Sequence, residues 1–260
     1  MSDYIIFTID QAHYALEVSK IERIDQVPAL TPIPHSHPSI DGIMMYQDRT
    51  AKVVNFRKMT NVISHEDQIL ALFNQVIKDH QMWIGALKTS LEEGTPFSLA
   101  LDPHKCRLGK WLYGYTTHDT EVLAILRRLI PVHSRLHETG AELLAQADKG
   151  DRQGALNRYH DEVLGEILKG TMDELNMMLS KAHDISSHSQ KLLIYRTQSG
   201  FFAIKVDGIK DITVFDDKEI KGYSHNVQVG ECLQTKGVVE YKQLLVVVIE
   251  SVILPHDEAA

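Results

Sequence analysis

The stretch Tyr4-Ile5-Ile6-Phe7-Thr8-Ile9-Asp10-Gln11-Ala12-His13-Tyr14-Ala15-Leu16-Glu17-Val18 decides the fold, because the chain contains it twice. It reads as two short β-branched or aromatic strands around a turn at Asp10–His13, the pattern of a hairpin. At a constant offset and without a gap, Leu192 to Thr197 and Phe201 to Val206 repeat it around Gln198-Ser199-Gly200. Ile6 matches Ile194, Phe7 Tyr195, Tyr14 Phe202, Ala15 Ala203 and Val18 Val206, and the match continues through Ile21 with Ile209 and Ile24 with Ile212.

A second block follows in the same order. Gly42-Ile43-Met44-Met45-Tyr46 corresponds to Gly237-Val238-Val239-Glu240-Tyr241, and each precedes a Val-rich strand, Val53-Val54 and Val246 to Ile249. Two matched blocks in one order predict a duplicated all-β domain whose halves lie at the two ends of the chain.

Between them the hydrophobic period changes from 2 to 3.6. Ile69, Phe73, Val76, His80, Trp83 and Leu87 form one helical seam, Val122, Leu126, Leu129, His133 and Leu136 a second, and Leu156, His160, Val163 and Ile167 a third. With a short helix at Pro103–Tyr113 and punctuation at Gly94, Gly114 and Gly150, the middle predicts a four-helix bundle. Met172, Met177 and Met178 are expected to fill its core. The fold class is α+β multidomain, with a bundle at 63–186 inserted between β segments at 1–62 and 187–260. His183–Ser189 is read as the returning linker.

Composition bounds the function. The 260 residues are 43% hydrophobic and 24% charged, as in soluble globular proteins. A net charge of -8 opposes a phosphate backbone and argues against nucleic acid as the partner. No apolar run reaches the roughly 18 residues of a membrane span, and the start lacks a basic leader, so no membrane insertion and a cytoplasmic location are expected. Two cysteines, Cys106 and Cys232, make no disulfide framework; Cys232 is expected to be a buried thiol.

Histidine is in excess, with 14 copies, and each long helix places one in its apolar stripe. A neutral imidazole there costs free energy unless its nitrogens find partners. His133 and His137 are spaced i, i+4 and share a helix face. His80, Cys106, His133 and His137 together offer three imidazoles and one thiol, a donor set suited to zinc. Four protein ligands leave no open position, and His133-Ser134-Arg135-Leu136-His137 lacks the glutamate of a metalloprotease, so a structural or sensing site is favoured over a zinc hydrolase. His160 is ranked below these four, as a packed or supporting residue. His35-Ser36-His37 reads as a solvated turn.

The segment His104-Lys105-Cys106-Arg107-Leu108-Gly109-Lys110-Trp111-Leu112-Tyr113-Gly114 resembles the signature of the chemoreceptor zinc-binding (CZB) domain. Asp79-His80-Gln81-Met82-Trp83 and His133-Ser134-Arg135-Leu136-His137 are similar to that family's flanking motifs, in its order. The resemblance implies zinc on His80, Cys106, His133 and His137, and a homodimer through the bundle. The β segments, Tyr4–Val18, Leu30-Thr31-Pro32-Ile33-Pro34, Gly42–Arg57 and Leu192–Leu254, resemble the CheW-like domain. That implies two intertwined barrels and a scaffold coupling chemoreceptor cytoplasmic tips to a CheA-type histidine kinase. Gln47-Asp48 stands where the family usually has Arg-Gly, a departure that bears on incorporation into receptor arrays.

The expected function is a non-enzymatic chemotaxis and signal-transduction adaptor whose His3Cys zinc site senses zinc or oxidants. The alternative is a histidine phosphotransfer module, weakly suggested by His137-Glu138-Thr139-Gly140.

Overall fold

The structure, a computed structural model, describes residues 1–198, 200–222 and 232–255. Ser199 of the second hairpin turn, and 223–231 and 256–260 of the second β segment, lie outside the described residues. The chain separates into two compact units: Met1–His65 with Ser186–Ala260, and Glu66–Ile185.

Among the described residues the first unit holds ten strands: β1 (Ser2–Ile9), β2 (Ala12–Glu17), β3 (Ile21–Gln26), β4 (Ile40–Tyr46), β5 (Arg49–Asn55), β6 (Lys191–Thr197), β7 (Gly200–Val206), β8 (Gly208–Phe215), β9 (Leu233–Tyr241) and β10 (Leu244–Val252). They form two five-stranded sheets, ordered β8-β1-β2-β10-β9 and β3-β6-β7-β5-β4. Replacing each strand of the first sheet by its repeat equivalent gives the second sheet in the same order. Each sheet therefore takes a hairpin from one half of the chain and the remaining strands from the other half.

Register repeats as well. The parallel pairing of Ala15 with Val248 recurs as Ala203 with Val53. Gly42 and Gly237, equivalent in the repeat, have φ of 149° and 156°. A Cβ there would lie 2.5 Å from the Thr31 carbonyl oxygen or 2.4 Å from that of Lys221. Only glycine allows the isolated bridges Thr31–Ile43 and Lys221–Val238 to draw the sheet edges together.

Side chains alternate across β1 and β6, yet both faces of these strands are covered. Ile5, Phe7, Leu193 and Tyr195 enter a core shared by the two sheets, while Tyr4 and Ile6 line the interior of the first sheet and Leu192 and Ile194 that of the second. Burial on both faces explains why the strands read as nearly continuous apolar runs.

After β5 a single turn of helix, α1 (Phe56–Met59), is capped by Asn55, whose side chain accepts from the Lys58 N–H. Arg57 is 2% exposed and grips Asp207 through Nε and Nη2 at 2.7 and 2.6 Å, while Nη1 donates to the Ile63 carbonyl at 2.8 Å. Asp207 also accepts from the Asp10 N–H and the Gln190 side-chain amide, and the Ser186 hydroxyl donates to Gln190 Oε1 at 3.3 Å and lies 3.2 Å from His65 Nδ1. One buried polar network thus holds the residues at which the chain leaves this unit and returns to it.

The remaining helices are α2 (His65–Glu93), α3 (Arg107–Gly114), α4 (Thr120–Asp148), α5 (Arg152–Arg158), α6 (Leu168–Ser180) and α7 (Ala182–Ser189). A π-helical stretch, Tyr159–Ile167, joins α5 to α6 in one continuous rod. The first two seams are as expected, with every named residue of α2 and α4 buried.

The third seam differs. Tyr159, Val163, Ile167, Thr171 and Leu175 are buried in steps of four, and His160 is exposed, its ring against the edge of Tyr159. The wider turn of the π stretch keeps residues four apart on one line, so the stripe passes through Tyr159 rather than His160. Met178 is buried and Met172 half-buried, but Met177 is 45% exposed and lies outside the core. Cys232 is half-buried. The short helix begins at Arg107 rather than Pro103, because Cys106 caps it. His183–Ser189 is helical rather than a linker: Ala182 and Ile185 bury one face, and Asp184 in the first turn suits the helix N-terminus.

Candidate metal centre

Three helices bring the candidate residues together. His80 comes from α2, His133 and His137 from consecutive turns of α4, and Cys106 from the N-cap of α3. Their ligand atoms all lie within 4.8 Å of one another. All four residues selected from the sequence are in the cluster, and His160 is not.

The tautomers follow from what each ring nitrogen meets. His80 Nδ1 is 2.8 Å from the Val76 carbonyl oxygen and His137 Nδ1 is 3.1 Å from that of Ala100. A carbonyl only accepts, so each Nδ1 carries the proton and each Nε2 keeps a bare lone pair. His80 Nε2 and His137 Nε2 are buried without a hydrogen-bond partner. His133 Nε2 lies 3.3 Å from Cys106 Sγ. Orphaned buried acceptors are rare and costly, and here two point into a space that a thiol and a third imidazole also face.

Cys106 is placed by the backbone. Its sulfur accepts from the Gly109 N–H at 3.2 Å, capping α3. A Cβ on Gly109 would lie 1.8 Å from the Pro103 carbonyl oxygen, so the approach of α3 to the preceding turn requires glycine. Arg107 Nε donates to Asp79 at 2.8 Å and ties α3 to α2 beside the cluster. Trp83 Nε1 donates to the same Ala100 carbonyl that receives His137, and the Trp83 and His137 rings meet tilted at 53°, 4.9 Å between centroids.

Electrostatics keep the four donors neutral. Burial, with the neighbouring His137 and His80, pushes His133 down to about 3. Burial, then His80, takes His137 down to about 4, and burial lowers His80 as well. Burial pushes the Cys106 thiol up, against the pull of the Gly109 and Leu108 N–H groups. Three lone pairs and a thiol in a site that resists protonation fit a borderline-soft divalent ion. A zinc tetrahedron needs donor separations of about 3.3–3.6 Å, so the Cys106–His133 edge is at that spacing and the widest edges must contract by about 1 Å.

A cavity of about 460 Å³ reaches His80, Cys106 and His137 past Met82, Trp83 and Leu99. Solvent-borne reagents therefore have a path to the sulfur. His137 is 0% exposed, which is incompatible with a histidine that must meet a phosphorylated partner. Sequence reasoning missed the carbonyls of Val76 and Ala100. The first is one helical turn before His80 and so readable in principle; the second comes from an irregular segment and leaves no signal.

Residues 3–92 match the CheW-like domain and residues 80–144 match the chemoreceptor zinc-binding domain. The second match encloses all four candidate ligands; the first spans β1 to β5 and runs on into α2. No curated protein matches the chain. Seven solved chains do. Among them is the crystal structure of scaffolding protein TtCheW from Thermoanaerobacter tengcongensis, with a TM-score of 0.46 and 8% identity over 96% of this chain and 88% of that one. Among the described residues, no helix is long and apolar enough to cross a membrane. By the two family matches, the chain joins a CheW-like domain to a chemoreceptor zinc-binding domain.

Proposed function

We propose that the chain is a non-enzymatic chemotaxis adaptor in which His80, Cys106, His133 and His137 hold zinc, and the split CheW-like unit couples chemoreceptors to a CheA-type histidine kinase in the cytoplasm. The observation that carries the reading is the pair of buried, unpartnered Nε2 atoms of His80 and His137 facing Cys106 and His133. Zinc, when bound, supplies the positive charge that keeps the Cys106 sulfur ionised.

The protein's own residues do the rest. Val76 and Ala100 fix the imidazole tautomers, and the Gly109 N–H orients the sulfur. The cavity admits a two-electron oxidant such as hypochlorous acid or peroxide. With peroxide the sulfur attacks one oxygen, an S–O bond forms and hydroxide leaves; with hypochlorous acid it takes the chlorine as hydroxide leaves, and water then displaces chloride with loss of a proton, so that either way the cysteine becomes a sulfenic acid. That group is a poorer ligand and a poorer cap for α3, so the inter-helix tie at Cys106 weakens. Because zinc ligation is worth on the order of 10 kcal/mol in small zinc domains, losing part of it is enough to shift a bundle between two packings. Both ends of the bundle continue covalently into the β unit.

Gln47-Asp48 bears on the kinase-coupling half of the reading. Both residues have positive φ, 48° and 59°, as do their repeat equivalents Lys242 and Gln243. The two-residue turn forms without glycine, since aspartate tolerates this region better than most residues. What the departure alters is side-chain chemistry at the turn.

The test is kinase output in a reconstituted receptor–kinase mixture containing the wild-type chain or Cys106→Ser, before and after oxidant. The reading requires coupling by the wild type that changes on oxidation and a variant that no longer responds. Equal responses would exclude Cys106 as the sensor, and no coupling by either would exclude the adaptor role.

A further inference from the structure

Hydrogen peroxide and hypochlorous acid are no larger than about two water molecules, or about 60 Å³ of liquid volume. The cavity that leads to Cys106 is about 460 Å³, within the range of pockets that take organic ligands. It is far larger than a channel for small oxidants requires.

Its walls are also more apolar than such a channel requires. Met82 and Ala86 lie one turn apart on one face of α2, Trp83 adjoins them, and Leu99 comes from the segment between α2 and α3. Met82 and Leu99 are 61% and 42% exposed, so two large apolar side chains stand in water beside a concave surface, the mark of a binding site. Apart from the cluster residues His80, Cys106 and His137, the polar side chains on the wall are Ser98, Asp79 and Arg107. Asp79 and Arg107 pair at 2.8 Å, and burial keeps both imidazoles neutral. The wall thus carries no uncompensated charge to draw an ionic reagent.

We infer that this cavity selects organic hydroperoxides, in which an aryl or alkyl body carries the O–OH group, as oxidants of Cys106. The inference rests on the reading of Cys106 as the oxidant-responsive residue and names the reagent class it meets. The body lies against Met82, Trp83, Ala86 and Leu99, where transfer out of water favours it, and the O–OH end meets the sulfur. The sulfur lone pair attacks the terminal oxygen. An S–O bond forms, the O–O bond breaks, and the alkoxide leaves and takes a proton from water to become the alcohol. The cysteine is oxidised by two electrons to the sulfenic acid as the hydroperoxide is reduced. Hydrogen peroxide gives the same sulfur product but has no apolar body, so the walls add nothing to its capture.

The probes are cumene hydroperoxide and hydrogen peroxide, each applied to the full chain as purified, with the sulfenic acid at Cys106 trapped by a cyclic diketone and followed by mass spectrometry. Dividing each rate by that of the same reagent with free N-acetylcysteine removes intrinsic reactivity. The corrected rate is expected to favour cumene hydroperoxide at least about tenfold, the effect of burying about 60 Å² of apolar surface, and to saturate with its concentration. Cumyl alcohol, the product, should compete, and should change tryptophan emission saturably through Trp83 with no oxidation involved. Ala86→Phe, which fills the cavity, should abolish the preference and the emission change, and Met82→Gln, which makes a wall polar, should reduce both. Neither side chain belongs to the buried core. Oxidation of Cys106 by both reagents without preference, or a preference that survives both substitutions, would overturn the proposal and leave Cys106 as a responsive residue. Failure of both reagents to oxidise Cys106 would overturn the sensor reading and the proposal with it.

Discussion

His133 Nε2 lies 3.3 Å from Cys106 Sγ, a contact between α4 and the N-cap of α3 that joins two of the four candidate ligands. It is at the edge length of a zinc tetrahedron while the protein alone maintains it. Packing thus brings this one edge to the ligating spacing, while the widest donor pairs, up to 4.8 Å apart, close by about 1 Å when zinc binds.

The first consequence is pH dependence in the metal-free protein. His133 and His137 are held at about 3 and about 4 when folded and return to about 6.5 when unfolded. The unfolded chain then binds more protons than the folded one between those values. Stability is complete above pH 6.5 and falls as pH drops below it, by about 1.4 kcal/mol per pH unit for each imidazole. Urea unfolding of metal-free protein from pH 7 to 5 measures this; a flat profile would mean the rings are not buried neutral.

Gly109→Ala puts a methyl group against the Pro103 carbonyl. The substitution should cost roughly 1–3 kcal/mol through overpacking and displace Cys106, lowering zinc affinity as well as stability. Calorimetry with a competing chelator reads both; a variant with wild-type affinity would show that α3 positions the sulfur by other means.

Breaking the buried Arg57–Asp207 pair should be costlier. Arg57→Ala leaves a carboxylate facing the Gln190 amide and the Asp10 N–H without its cation, and removes the anchor of Ile63. A loss of about 3–5 kcal/mol is expected for an uncompensated buried partner, measured as the unfolding free energy of the β unit. A loss under about 1 kcal/mol would make this network incidental.

How much of this was legible in the sequence depends on what kind of signal each feature leaves. The sheets were legible because the repeat wrote Ile6–Val18 again at Ile194–Val206, and the four ligand candidates because His80 and His133 interrupt otherwise apolar seams. The π stretch was not legible, since it changes the period without changing the residue types; this misplaced His160. The Arg57–Asp207 pair joins residues far apart in the chain, and no local pattern marks it. The helix at Ala182–Ser189 was obscured by its serines and histidines, whose weak helix preference is overridden by burying Ala182 and Ile185.

His160→Ala follows from that correction. An exposed side chain away from the cluster should change stability by no more than about 0.5 kcal/mol and leave zinc content untouched, as metal analysis and thermal unfolding would show. A variant that lost zinc would show that His160 supports the metal site after all.

The most direct test of the account is zinc-edge X-ray absorption on the purified chain. The account predicts one zinc per chain with three nitrogen neighbours at about 2.0 Å and one sulfur at about 2.3 Å, the sulfur shell disappearing in Cys106→Ser. A chain that binds no zinc, or zinc without a sulfur neighbour, would contradict it.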